Sequence, residues 1–291
     1  MSGLIRLAEL AGEQWGLVTT GQAAQIGVPA GPMSRWVDQG ALTRITRGIY
    51  KITGSPHDPL DELRAAWLGL APKRTAADRL AQPHIDAVVS HRSAAALHGL
   101  GDLDADVHEF IVEGRRQSRR RDVRIHTRTA PIDSASWTRV AGLPVTTVLS
   151  TIVDLAAEHQ DGGHLAGVVR DAVATAAVDL DELSEALAPY AHRYGSVTGD
   201  GTALVQRLLL QAGLPRTTEQ AGELIRAPQT FEALVTALSA NMSPEMLHSF
   251  KAIADDPAFN KLAQNSVAPS TKKAIAEAIR TAADTNRQVE R

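Results

Sequence analysis

From Gly27 to Pro32 the chain reads Gly-Val-Pro-Ala-Gly-Pro, a segment that no continuous α-helix tolerates. Glycine ends a helix by taking the left-handed conformation, and proline fits only in a first turn. One short helix must therefore stop at Gly27 and another must start between the two prolines. Upstream, Thr19 or Thr20 offers a hydroxyl to cap a helix over Gln22 to Ile26, whose small Ala23 and Ala24 allow a close crossing. Downstream, Met33, Trp36 and Val37 recur at i, i+3, i+4 and predict the core-facing stripe of the second helix, closed by Gly40. That leaves Ser34, Arg35, Asp38 and Gln39 outward.

Two β-branched runs follow, Leu42 to Ile45 and Ile49 to Ile52, around Thr46-Arg47-Gly48 as a hairpin tip. Helix, tight turn, helix and hairpin is the order of a winged helix-turn-helix, a DNA-reading unit. In that frame Ser34, Arg35 and Gln39 are expected at base edges in the major groove. Arg44, Arg47 and Lys51 are expected on phosphates beside the wing. Leu4, Leu7, Ala8, Leu10 and Ala11 form one stripe of an amphipathic helix that completes the module.

With 291 residues there is room for two or three cores, and aromatic content of 4% means that they are built from aliphatic side chains. There is no cysteine, which excludes disulfides, thiolate zinc sites and cysteine nucleophiles. No apolar run reaches membrane-span length and no signal peptide precedes Leu4, so a cytoplasmic protein without membrane contact is expected. The net charge is −3, but residues 1–128 total +3 and residues 129–198 total −6, so a basic first half precedes an acidic stretch.

We expect an α+β chain in three parts. Residues 1–54 form the winged helix-turn-helix, residues 59–198 a mixed α/β second domain, and residues 199–291 an all-helical C-terminal extension. Gly54 to Pro59 reads as the first linker and Tyr194 to Gly201 as the second boundary. Within the middle part, helices are predicted over residues 60–70, 147–158, 163–176 and 180–191, the last with Asp179 and Glu182 as a capping box. Strands are predicted over residues 85–89, 108–112 and 122–127, with a further strand ending at Val145. An Ala-rich helix follows Ser90-His91-Arg92-Ser93. The extension is helical by pattern, with Phe231, Leu234, Val235 and Leu238 on one stripe.

The densest charge is Arg115-Arg116-Gln117-Ser118-Arg119-Arg120-Arg121, and residues 113–128 total +5. Arg115, Arg116, Arg119, Arg120 and Arg121 read as a phosphate or partner contact, against a solvated loop as the plain alternative. Catalytic patterns fail. Ser90, His91 and Ser93 sit at one helix start without a nucleophile elbow, so Ser90 reads as a cap. Asp102, Asp104 and Asp106 lack the upstream Gly-Ser of nucleotidyltransferases and read as an acidic loop. No Glu-x-Lys, His-Glu-x-x-His or phosphate-binding glycine loop occurs, and His91 with His98 lacks a third ligand nearby in sequence. No catalytic residue, metal or cofactor is expected.

Gly16-Leu17-Val18-Thr19, Gln22-Ala23 and Leu42-Thr43-Arg44-Ile45-Thr46-Arg47-Gly48-Ile49-Tyr50 resemble the N-terminal domain of AbiEi-type antitoxins. These belong to type IV toxin–antitoxin systems linked to abortive infection by phage. Pro59 with Ala65-Ala66-Trp67-Leu68, Val89 to Leu100, Gly142 to Thr147 and Thr151 to Leu155 are similar to the second domain of the actinobacterial branch. The resemblance covers roughly residues 4 to 214. It implies an antitoxin that represses its own operon on operator DNA and counters a cognate nucleotidyltransferase toxin of the AbiEii type. It leaves open whether the toxin is touched directly and whether two copies share a repeat-containing operator. Two other readings stay open: a regulator whose second domain senses a small molecule, and an interaction protein whose N-terminal module docks protein.

Overall fold

A helix from Gly3 to Gly12 (α1) is followed by Leu17–Thr19 (β1), Thr20–Gln25 (α2), Ala30–Asp38 (α3), Leu42–Thr46 (β2) and Ile49–Ile52 (β3). The structure is a computed structural model and describes residues 3–114 and 116–213. Thr19 caps α2 in a capping box with Gln22, and Gly27 and Gly40 take positive φ after α2 and α3, the stops that the sequence demands. Strands β1, β3 and β2 form an antiparallel sheet in that order. Strand β1, only three residues long, is too short to show a strand pattern in sequence.

Strand periodicity then decides which face each residue meets. Val18, Leu42, Tyr50 and Ile52 pack with Leu7, Ala23 and Met33 of the three helices. Leu17 and Ile49 turn the other way and join the core of the second segment. Both faces of the small sheet are covered. Gly54 to Pro59 is therefore no free linker: the Pro56 carbonyl, Asp58 and Asp61 all bond across it.

The second segment holds Asp61–Leu70 (α4), Ala76–Leu80 (α5), Ala87–Val89 (β4), His91–His98 (α6), His108–Glu113 (β5), Val123–Arg128 (β6), Trp137–Val140 (β7) and Leu143–Thr146 (β8). Helices Val148–Ala157 (α7), Gly162–Ala174 (α8), Leu180–Leu187 (α9) and Gly201–Gln211 (α10) complete it. Its mixed sheet runs β6-β5-β4-β8-β7, parallel at β5/β6 and β4/β8 and antiparallel elsewhere. Ala141 and Gly142 both have positive φ, the two-residue turn that closes β7 onto β8. Helix α10, expected in the C-terminal extension, packs on α8 and α9 within a compact unit that runs to Gly213. The rest of that extension lies outside the described residues.

The two segments meet through a pair of buried glutamines. Gln14 Nε2 donates to Leu17 O (2.9 Å) and Gln22 Oε1 (2.8 Å). Gln22 Nε2 donates to Gln14 Oε1 (3.2 Å) and Arg74 O (2.8 Å). Gln14 Oε1 also accepts from Ala76 N (3.1 Å), and Gln22 Oε1 from Thr19 N (2.9 Å). Every donor hydrogen and lone pair of both amides is used. Thr19 Oγ1 adds a bond to Pro72 O, and a Cβ on Gly21 would sit 2.3 Å from that same carbonyl. Trp15 meets Trp67 edge to face at 6.3 Å, and Trp67 donates to Ala87 O at 3.0 Å.

Helix α7 lies against edge strand β6 along a charged seam. Asp154 bonds Arg128 at 2.6 Å through Oδ1, while its buried Oδ2 has no hydrogen-bond partner. Burial raises this carboxyl to about 6, against the lowering effect of Arg128. The folded-state value thus lies above the unfolded one, so ionisation weakens the fold above pH 6 and ceases to matter near pH 4.

Three substitutions test these contacts. Gln22→Leu strands Thr19 N, Arg74 O and half of the Gln14 amide, and is expected to cost about 2–4 kcal/mol in urea unfolding. The double change with Gln14→Leu should cost at least about 1 kcal/mol less than the sum of the singles; additive losses would contradict the pairing. Asp154→Asn is expected to stabilise the protein by about 1–3 kcal/mol at pH 8, with the gain gone by about pH 4. Equal stability at pH 8 would contradict the burial of an ionised carboxylate.

Candidate nucleic-acid interface

Helix α3 buries Met33 and half-buries Trp36 and Val37, as their spacing requires, and leaves Ser34, Arg35, Asp38 and Gln39 exposed. Gln39 is the C-cap, its N–H bonded to Arg35 O at 2.9 Å. Ser34, Arg35 and Gln39 therefore share one solvent-facing surface. Pro29 takes the N-cap position and contributes no side-chain bond there. The first-turn amides of α3 lack that side-chain partner.

The hairpin is held firmly. Thr20 N donates to Gly48 O at 2.9 Å, which ties its tip to the start of α2. Gly48 has positive φ, and its missing Cβ clears Thr20 Oγ1. Arg44 and Arg47 are exposed on this hairpin, and Arg44 Nε bonds only Thr46 O, at 3.4 Å. Among the described residues Arg35, Arg44 and Arg47 make no ion pair. Arg35, Arg44 and Arg47 are thus exposed cations without a carboxylate partner among the described residues.

Lys51 does not belong to that set. It was expected on phosphates, yet only 6% of it is exposed, because residue 51 shares the strand face of Ile49 and turns toward α4. Its ammonium bonds Asp61 and the Pro56 carbonyl, the latter at 2.6 Å. Lys51 is an internal brace between hairpin and α4. Arg64 does similar work, bonding Asp58 at 2.5 Å and Ala141 O at 3.0 Å. Arg79 lies 3.6 Å over the Trp67 ring and bonds Asp86 at 2.8 Å; burial pulls its guanidinium down to about 10.

The arginine run sits between two parallel neighbours, β5 and β6. The chain returns the length of a six-residue strand, about 20 Å, between the end of β5 and the start of β6. Arg116, Arg119 and Arg121 are exposed and unpaired among the described residues. Arg120 is partly spent on Asp122, with Nε at 3.0 Å from Oδ1. Arg115 lies outside the described residues. Arg116, Ser118, Arg121 and Arg124 line a shallow notch of about 350 Å³, open to an anionic group.

The Ser90-His91 motif also differs from its expected reading. Ser90 occupies the N-cap of α6 but makes no cap bond; its hydroxyl lies 2.9 Å from His91 Nδ1. His91 does not look toward His98, which bonds Thr146 O at 2.7 Å. It stacks on His126 of β6, ring centres 3.6 Å apart, beside buried Glu109 of β5. Sequence spacing missed this group because its members are about 17 residues apart and meet only through strand pairing. The one signal was a glutamate and a histidine at odd positions of adjacent apolar strands. Asp102 to Asp106 lies in a loop between α6 and β5, with Asp104 Oδ1 accepting from Asp106 N at 3.0 Å.

Among the described residues no helix is long and apolar enough to cross a membrane. A comparison with curated proteins gives no match. Among solved structures, one described as the crystal structure of RV2827C protein from Mycobacterium tuberculosis is similar at 18% identity and a TM-score of 0.45, covering 71% of this chain and 80% of that one. The family model described as "Transcriptional regulator, AbiEi antitoxin" matches residues 6–53. That span runs from α1 through the whole of β3, the module that carries the exposed arginines. The N-terminal module of this chain is therefore similar, over residues 6–53, to the AbiEi antitoxin family of transcriptional regulators.

Proposed function

We propose that this protein is an antitoxin that binds its own operator through a winged helix-turn-helix and counters a cognate nucleotidyltransferase toxin. The observation that carries the reading is the unpaired, exposed trio Arg35, Arg44 and Arg47 within the segment that matches the regulator family. Helix α3 would enter the major groove, with Ser34, Arg35 and Gln39 at base edges. Arg44 and Arg47 would meet phosphates on either side of the hairpin tip. The second segment would act against the toxin, with Arg116, Arg119 and Arg121 offering the anion-binding edge. Such a pair would serve in abortive infection, and two copies would suit a repeat-containing operator.

A second reading, a regulator that senses a small molecule, is favoured by one observation. A recess of about 550 Å³ lies between the hairpin and α4, lined by Arg44, Asp58, Asp61 and Glu62 among others. Growth rescue separates the two: a toxin-blind regulator binds DNA and leaves poisoned cells unprotected.

Binding to the upstream DNA, titrated at several salt concentrations, tests the DNA reading. Arg44→Ala and Arg47→Ala should each reduce the slope of log affinity against log salt by about 0.9. Arg35→Ala should cost about 1–3 kcal/mol on the operator and little on random duplex. Lys51→Gln should lower the melting temperature and leave the salt slope unchanged; a changed slope would return Lys51 to the interface. For the toxin, the chain co-expressed with its partner should restore growth, and replacing Arg116, Arg119 and Arg121 together by Ala should weaken the rescue. Rescue untouched by the triple change would remove the arginine edge from the account.

A further inference from the structure

We propose that His91, Glu109 and His126 form a binding site for a divalent transition metal of the zinc class. They come from the start of α6, from β5 and from β6, and one ligand-type atom of each lies within 4.8 Å of the others. His91 and Glu109 are 5% and 3% exposed, and the His126 side chain 13%. Two imidazoles and a carboxylate are a donor set suited to zinc, with a fourth position left for water.

Each ring is held in the way that metal-binding histidines are held, with the remote nitrogen engaged by an oxygen. His91 Nδ1 lies 2.9 Å from the Ser90 hydroxyl, which is fully buried. His126 Nδ1 lies 3.2 Å from Glu158 Oε1. The Nε2 atoms are therefore the ones left for an ion. His126 Nε2 is 3.3 Å from Glu109 Oε2, and among the described residues His91 Nε2 has no hydrogen-bond partner. Both His126 nitrogens face carboxylates, Glu158 at Nδ1 and Glu109 at Nε2, so an ion at Nε2 would sit beside the Glu109 carboxylate.

A polar network alone accounts for Arg124, Glu109, His126 and Glu158, which form a chain of ion pairs with Arg124 at 3.6 Å from Glu109. It does not account for His91. This ring stands outside that chain, and its backbone takes a φ of 51°, uncommon for a residue other than glycine. The rings are within 13° of parallel, so both cannot aim lone pairs at one ion as they stand. Loading requires one ring to tilt out of this stack.

The test uses the full chain, stripped with a chelator and titrated with zinc chloride by calorimetry, with cobalt as a visible probe of four-coordinate geometry. A single zinc ion should bind the parent protein, and His126→Gln should weaken it at least about tenfold. Should His126→Gln fail to fold, Glu158→Gln, which removes only the partner of Nδ1, should show the same direction with about a tenfold loss. His164→Ala, at an exposed histidine on α8, should keep the parent affinity. No saturable zinc uptake by the parent, or unchanged affinity in both His126→Gln and Glu158→Gln, would overturn the site. Loss of zinc in His164→Ala would equally overturn it.

Discussion

Two glutamine side chains, Gln14 and Gln22, bury their amides against each other with every hydrogen-bonding position filled. A buried amide is tolerable only when satisfied, and these two reach satisfaction only by using backbone from both segments. Leu17, Thr19 and α2 stand on one side, and Arg74 and Ala76 on the other. The orientation of the hairpin relative to the larger sheet follows from that geometry. Trp15 on Trp67, Lys51 with Asp61, and Leu17 and Ile49 in the shared core all repeat the same constraint. The N-terminal module is docked on the second segment without a hinge between them.

Docking sorts the positive charges into two populations. Lys51, Arg64 and Arg79 are taken inside, each bonded to a carboxylate and a carbonyl, where they brace the fold. Arg35, Arg44 and Arg47 stay outside without carboxylate partners among the described residues, as do Arg116, Arg119 and Arg121 on the return between β5 and β6. Exposed pairs contribute little to stability, and unpaired exposed cations contribute less still. Stability alone therefore gives no account of their placement.

Much of the local structure was legible in the residues. Glycines at 27 and 40 stopped helices, the Met33–Trp36–Val37 stripe chose the buried face of α3, and Asp179 capped α9 onto Asp181 and Glu182. The failures share a cause. Lys51 was read by its charge, whereas its strand parity with Ile49 and the acid ten residues later decide its place. Ser90 was read by its position at a helix start, whereas its hydroxyl serves the next side chain. Gly54 to Pro59 was read by composition as a linker, whereas bonds from Asp58 and Pro56 lock it. Short strands β1 and β7, the glutamine pair and the His91–His126 stack depend on partners far along the chain, which local pattern does not report.

Native-state hydrogen exchange of the Thr19, Gln22 and Ala76 amides tests the docking most directly. If the two segments open only together, these amides should exchange with the same free energy as the core amides of β4 and β5, close to that of global unfolding. Exchange of residues 17–52 as a separate unit, at a free energy well below that of the larger sheet, would contradict the account.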